Sequence, residues 1–306
     1  MKLYLLVFYL VKPLFIFSQT ATENKFPEHN VIGIAYSDKL FFNTNLKDAQ
    51  AATKVLTDAI IKKKGIDATN ETIIFHDISA IESDLCKNKI DIVALPLLDF
   101  IQFKDKGIIN PFAVHMREGS VFDNYIILTR NDSGIKSIKD LKNKKLIFLT
   151  SERENISNLW LETLLYKNNL LPASKFFSNI READKASQAV LSVFFKNSDV
   201  CIVMYKSFLT VTELNPQIEK ELTILESSPE FVFSIVCVRK SMTKSENRDI
   251  LEETLLFLHK ESQGKQILTL FKIDKLMPFK PEYLTNGELL LKEFNKINKD
   301  FKQIGG

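Results

Sequence analysis

YIILTRNDSGIKSIKDLKNKKLIF, the stretch spanning 125–148, reads as strand, turn, short helix and strand. Residues 125–129 form an apolar run. Asp132-Ser133-Gly134 is a turn, because Asp and Ser bond their own backbone and Gly accepts a left-handed conformation. Residues 138–141 read as a short helix, 145–149 as a second strand, and about 152–167 as a long helix. On that helix Trp160, Leu161, Leu164 and Leu165 recur at helical spacing, which predicts core packing rather than a stacking platform.

The same rhythm extends in both directions. Before this stretch, strands are predicted at 31–35, 72–75, 90–95 and 111–115, with helices at 48–62, 78–88 and 97–106. Gly65 and Gly107 stand just past two helix ends, a common place for glycine. After it come a weak strand at 176–179, a helix at 185–195, a strand at 200–204 and an apolar run at 231–238. Helices then dominate, around 247–259, 262–270 and 289–299. Alternating strands and helices give right-handed βαβ units and mostly parallel sheets, so the fold class is α/β. Two blocks of similar size and a helical tail that folds back predict two lobes. One comprises 28–118 with 231–306, the other 119–230. The chain then crosses between lobes twice, near 117–124 and 226–231, which makes a hinge around a ligand cleft. Open α/β sheets place their sites beyond the carboxyl ends of the strands, and both lobes turn those ends to the cleft.

Composition narrows the function. The 306 residues carry 41 basic and 38 acidic groups, a net charge of +3 with the signs mixed along the chain. No basic face of the kind nucleic acid requires is legible. Met1 and Lys2, the apolar run 3–10, its interruption by Lys12 and Pro13, and the polar exit 18–24 describe a secretory signal, assigned to residues 1–20. An uncleaved anchor or a buried first strand is the other reading of this segment. Cys86, Cys201 and Cys237 are too few and odd in number for a disulfide framework and are expected to be free thiols. They and the four histidines make no metal-spaced set, so no metal is expected.

The stretch 125–148 resembles the phosphate/phosphonate-binding receptors of ABC importers. That family opens its second lobe with a strand, the words "DSGI.S..DL.GK" and a second strand. Here these are Asp132-Ser133-Gly134-Ile135, Ser137, Asp140-Leu141 and Lys144, with Asn143 where glycine is usual. Ile90-Asp91-Ile92-Val93-Ala94-Leu95-Pro96 is similar to the family's "vDlaflgP". Ala189-Val190 through Asp199-Val200 is similar to "aV..g..Da", and 222–229 to "L.vL..Sp". Leu214-Asn215-Pro216-Gln217 resembles an uncharacterised branch of these receptors. The resemblance covers about 31–270. It implies a type-II periplasmic-binding fold, no cofactor, no covalent chemistry, a monomeric receptor and a membrane permease as partner.

It also implies where the ligand is held. The family's Ser-Thr-Ser-Gly-like turn corresponds to Thr150-Ser151-Glu152-Arg153-Glu154-Asn155. A helix N-terminus suits an anion, since it offers unpaired N–H donors and a positive dipole end. Ser151 and Glu154 also form a capping box, and Glu152 adds a further negative charge. Ser151 therefore has two readings, as a helix cap or as a ligand contact, and Arg153 is the counter-charge an anion would need. Tyr36 and Ser37 follow the first strand, Tyr125 opens the second lobe, and Tyr205 and Lys206 follow the strand at 200–204, where the resemblance implies a side chain that reads the rest of the ligand. Each tyrosine reads either as a ligand contact or as an amphipathic core-edge residue. The family's histidine near 180–186 is absent, the segment reading Arg181-Glu182-Ala183-Asp184, which weakens the match to phosphonate in particular.

These readings predict capture of a small anionic solute for import. A receptor of the same fold that signals to a membrane partner is the alternative. An enzyme on this fold, as in thiamine-pyrimidine synthesis, is disfavoured by the lack of a G-x-S-x-G, H-E-x-x-H or P-loop motif.

Overall fold

The computed structural model describes residues 31–41, 46–65, 69–149, 156–244 and 246–304. The segment assigned to a signal, 1–20, lies outside them.

The chain starts with β1 (Val31–Ser37), α1 (Leu46–Lys64), β2 (Thr69–Phe75), α2 (Ile78–Cys86), β3 (Ile92–Pro96), α3 (Leu97–Lys104) and β4 (Ile109–Met116). A two-residue strand, β5 (Phe122–Asp123), leads to the second block. That block comprises β6 (Tyr125–Arg130), β7 (Lys145–Leu149), α4 (Ile156–Lys167), α5 (Ala173–Phe176), β8 (Asn179–Ala183), α6 (Ala186–Phe194), β9 (Val200–Met204), α7 (Tyr205–Leu214), α8 (Pro216–Glu221) and β10 (Leu222–Ser227). The return runs through β11 (Phe231–Val232) to β12 (Ser234–Arg239), α9 (Glu246–Leu256), α10 (Ser262–Leu270), β13 (Lys275–Pro278) and α11 (Thr285–Ile304).

Two sheets result. The first has the order β13-β4-β12-β3-β1-β2, the second β10-β6-β9-β7-β8. In the first, β1 to β4 run one way while β12 and β13 run the other, so the returning strand β12 is inserted antiparallel between β3 and β4. In the second, only β6 opposes the rest. Mostly parallel strands with helices on both faces match the expected α/β class. The two crossings pair with each other, Phe231 opposite Asp123 and Val232 opposite Phe122, in a small antiparallel ribbon.

The words that carried the resemblance have structural work to do. Asp91 accepts from the Gly33 N–H at 3.0 Å and from Arg239 at 2.6 Å, tying β1, β3 and β12 together at one end. Gly33 is required there, because a Cβ would lie 1.8 Å from the Lys89 carbonyl oxygen. Asp199 accepts from the Lys145 N–H at 2.7 Å, fixing the start of β7. The Ser228 hydroxyl accepts from the Tyr125 N–H at 2.8 Å, so the second crossing is fastened to the first. Asn143 stands at φ 61°, in the left-handed region. This is the physical reason the position favours glycine, and asparagine is the side chain that best tolerates it.

Some elements differ from the sequence reading. The weak strand expected at 176–179 is instead the end of α5 followed by β8. Phe176 and Phe177 are buried because they cap the core, not because they lie in a sheet. β8 is an edge strand with four of its five residues exposed, so it carries no apolar signal. β13, also at a sheet edge, is likewise short and ends in Pro278. The last helix, α11, does not rest on the first lobe alone. Gly287 lets it approach Leu97 and Ile101 of α3, while Phe294 and Ile297 reach the region of Tyr166 and Leu170 after α4. Lys104 and Lys167, from α3 and α4, pair with Glu288 and Glu293 of α11, the second at 2.7 Å.

One apolar cluster is continuous across both sheets. It includes Val93 and Phe100 of the first lobe, Tyr125, Trp160 and Leu161 of the second, and Leu290 of α11. The outer faces have their own clusters: α6 and α7 cover the second sheet, and α1 and α9 the first.

Candidate functional site

The cleft between the lobes is where the carboxyl ends of β1, β3 and β9 and the amino end of the reversed strand β6 come closest to the crossing ribbon. Its walls come from both lobes and both crossings: Lys39 and Pro96 from the first lobe, Ile156 and Lys206 from the second, and Arg117 and Phe231 from the crossings. Free volume in this state is about 30 Å³, room for roughly one water molecule, so a polyatomic anion enters only as the lobes part.

The charged residues that line it are three cations, Lys39, Arg117 and Lys206, and one carboxylate, Asp123, with Asp99, Glu118 and Asp274 close behind. Lys39 follows β1 and pairs with buried Asp99 of α3 at 3.1 Å. Arg117 precedes a tight turn in which Glu118 and Gly119 both have positive φ, at 47° and 74°. That turn closes with reciprocal backbone bonds between Arg117 and Ser120, at 2.9 and 3.1 Å. The Arg117 Nε donates to the Lys272 carbonyl at 3.2 Å, and the guanidinium lies 5.1 Å from the Phe233 ring centre. Among the described residues Arg117 makes no ion pair, and burial lowers its pKa. Lys206, in the first turn of α7, donates its ammonium to the Arg117 carbonyl.

Asp123 is the opposing carboxylate. It accepts from the Asn124 N–H at 2.9 Å and, more weakly, from the Lys206 N–H at 3.4 Å, at the start of α7. It thus occupies the kind of helix-end position an anion favours. Burial raises its pKa. His115, on β4, has its pKa lowered to about 4, first by burial and then by the Arg117 charge. It is therefore neutral at pH 7, and its Nδ1 faces the Ser234 hydroxyl. A net positive, largely desolvated cleft attracts an anion and strengthens each bond made to it.

The residues singled out from the sequence fall in different places. Tyr125 is buried and lines the cleft. Ser37 is buried at the end of β1. Tyr36 lines a neighbouring cavity inside the first lobe, where burial pushes its pKa up to about 12. Tyr205 is exposed, while the next residue, Lys206, faces the cleft. Thr150, Ser151 and Arg153 lie outside the described residues, and Ile156 just after them reaches the cleft wall. Arg117, Asp123 and Lys39 were not singled out. Arg117 and Asp123 sit in a crossing that reads as a linker, and their signal was the Glu118-Gly119 turn beside a predicted hinge. Cys201 and Cys237 are buried free thiols, Cys201 in β9 and Cys237 in β12, with pKa raised by burial, as inert core cysteines are. Among the described residues, no three His, Cys, Asp or Glu side chains gather as a metal site would require, and no helix is long and apolar enough to cross a membrane.

Known structures share this arrangement. A protein of Xanthomonas citri solved with chloride aligns with a TM-score of 0.65 at 15% identity, covering 89% of this chain and 99% of that one. PhnD1 of Prochlorococcus marinus, in complex with methylphosphonate, aligns with a TM-score of 0.61 at 18% identity, over 87% and 99%. A binding-protein component of an ABC phosphonate transporter from Pseudomonas aeruginosa gives 0.58 at 14%, over 91% and 100%. Identities this low establish the fold and nothing finer. No curated protein matches the chain significantly in sequence. A family model does match: "ABC transporter, phosphonate, periplasmic substrate-binding protein", over residues 44–284. That span takes in all of both sheets except β1, the crossing ribbon and most of the cleft, so the chain belongs to the periplasmic substrate-binding proteins of ABC phosphonate transporters, a family of binding proteins rather than enzymes.

Proposed function

We propose that this protein captures a small phosphonate-like anion between its lobes and delivers it to the membrane permease of an ABC importer. The observation that carries this reading is that Lys39, Arg117 and Lys206 line the cleft where both crossings meet, with Asp123 as the carboxylate among its lining residues and, among the described residues, only Lys39 of the three engaged in an ion pair, with Asp99. A hinge of two short paired strands resists bending little, so lobe closure on an anion is a small-amplitude rotation about that ribbon. Of the contacts expected from the sequence, Tyr125 lines this cleft, Ser37, Thr150, Ser151 and Arg153 are kept as proposed contacts, and Tyr36 and Tyr205 face the neighbouring cavity and solvent, respectively. Residues 1–20 act as the export signal, and the protein works as a monomer.

Native mass spectrometry of the exported protein, followed by calorimetric titration with methylphosphonate, tests this. The expected result is a chain beginning between about Gln19 and Lys25 that carries, or stoichiometrically binds, one anion. Full-length chain recovered from the cytosol, or a protein that binds only cations or neutral solutes, overturns it.

A further inference from the structure

Beside the cleft, under α1, α9 and α10, the first lobe encloses a cavity of about 100 Å³. Its walls are almost wholly apolar. Ile34, Ala94 and Val236 come from the sheet, and Leu251, Leu268 and Phe271 from the helices and the turn after them. Two threonines of α1 also line it, but their hydroxyls are already bonded within the helix. Thr53 donates to the Ala49 carbonyl and Thr57 to the Thr53 carbonyl, each at 2.9 Å. The Tyr36 hydroxyl has no hydrogen-bond partner among the described residues. Close-packed interiors rarely leave a void of this size, and an apolar one stays dry and accepts apolar groups rather than water.

The cavity is not isolated. Leu40, His115 and Phe233 line both it and the cleft. Phe233 is the junction, since its ring carries the Arg117 guanidinium 5.1 Å from its centre and also forms part of the apolar wall. His115 is neutral at pH 7, so no second charge guards the passage. A cation therefore stands at the mouth of an apolar chamber, an arrangement that suits a molecule with an anionic head and a short hydrocarbon tail.

We infer that the anion held by Arg117 and Lys206 in the cleft carries a hydrocarbon tail of about three carbons, and that this tail enters the chamber between the first sheet and α1, α9 and α10. This rests on the reading of the cleft as an anion site and adds the tail to it. A chamber of this size holds about three water-sized groups, and so a chain of about three carbons beyond the head.

Calorimetric titration with methyl-, ethyl-, propyl-, butyl- and octylphosphonate tests the inference. Affinity should rise about three- to fourfold per methylene as far as propyl, then level off. Ala94→Leu fills the chamber, so it should hold methylphosphonate affinity within about twofold and flatten the series. Thr57→Leu, on the opposite wall, should do the same and serves if Ala94→Leu unfolds, which thermal melting reports. A series that is flat in the wild-type protein, with methylphosphonate bound, overturns the tail chamber and leaves the anion site standing. A rising series left unchanged by both folded variants also overturns it. If no member of the series binds, the anion reading falls and the tail chamber with it.

Discussion

Replacing Arg117 with glutamine removes one of the two cleft cations, Arg117 and Lys206, that make no ion pair among the described residues. Glutamine is shorter and uncharged, so the guanidinium's contact with the Phe233 ring goes as well. What is lost is one charge-assisted hydrogen bond to a bound anion, worth about 1.5–3 kcal/mol. Since each 1.4 kcal/mol is tenfold, the dissociation constant for methylphosphonate should rise by about 10- to 150-fold. Stability should change much less. No carboxylate lies in contact with Arg117 to be stranded, and its Nε bond to the Lys272 carbonyl is to an exposed backbone group. Calorimetry on the wild-type and Arg117→Gln proteins, with thermal melting of each without ligand, separates the two effects. Arg117→Lys should recover part of the affinity, because a point charge replaces the fork but not its geometry. If Arg117→Gln melts like the wild type and binds methylphosphonate within about twofold of it, the electrostatic account of the cleft is wrong.

Other expectations follow from single groups. Asp91→Ala strands buried Arg239 and frees the Gly33 N–H, so chemical denaturation should show a loss of about 3–5 kcal/mol with no change in ligand chemistry. His115, at about 4 in the folded protein against 6.5 free, takes up its proton first in the unfolded chain. Its contribution to stability is therefore present above pH 6.5 and lost as pH falls towards 4. Unfolding of His115→Gln should then lose about 2 kcal/mol less than the wild type between pH 7 and pH 5, and equal losses would show that His115 is not held neutral. In the turn after β7, Arg153→Ala should weaken an anionic ligand while Glu152→Gln leaves it unchanged or tightens it. The opposite pattern would mark the solute as cationic or zwitterionic.

The fold was legible because its signals are structural. Asp91, Asp199 and Ser228 recur in motif words, and each clamps a strand end or a crossing by accepting a backbone N–H. Gly134 and Asn143 mark left-handed turns between β6 and β7. Such residues identify an architecture without naming a ligand. The edge strands β8 and β13 were obscure because a half-exposed edge has no apolar run to read. The helix at 205–214 escaped because it follows β9 directly, with no turn residue between Met204 and Tyr205. The cleft charges were harder still. Lys39, Arg117 with Asp123, and Lys206 lie on three separate segments, and only the crossing ribbon brings them together. One basic residue two positions past a strand end resembles any solvated lysine until the second lobe is placed opposite it.

A crystal structure of the protein grown with methylphosphonate tests the central claim most directly. The account predicts density for the phosphonate between the lobes, its oxygens within hydrogen-bond distance of Arg117 and Lys206, with its methyl group towards Phe233. Lobes closed around an anion held elsewhere, with neither Arg117 nor Lys206 in contact with it, would contradict the account.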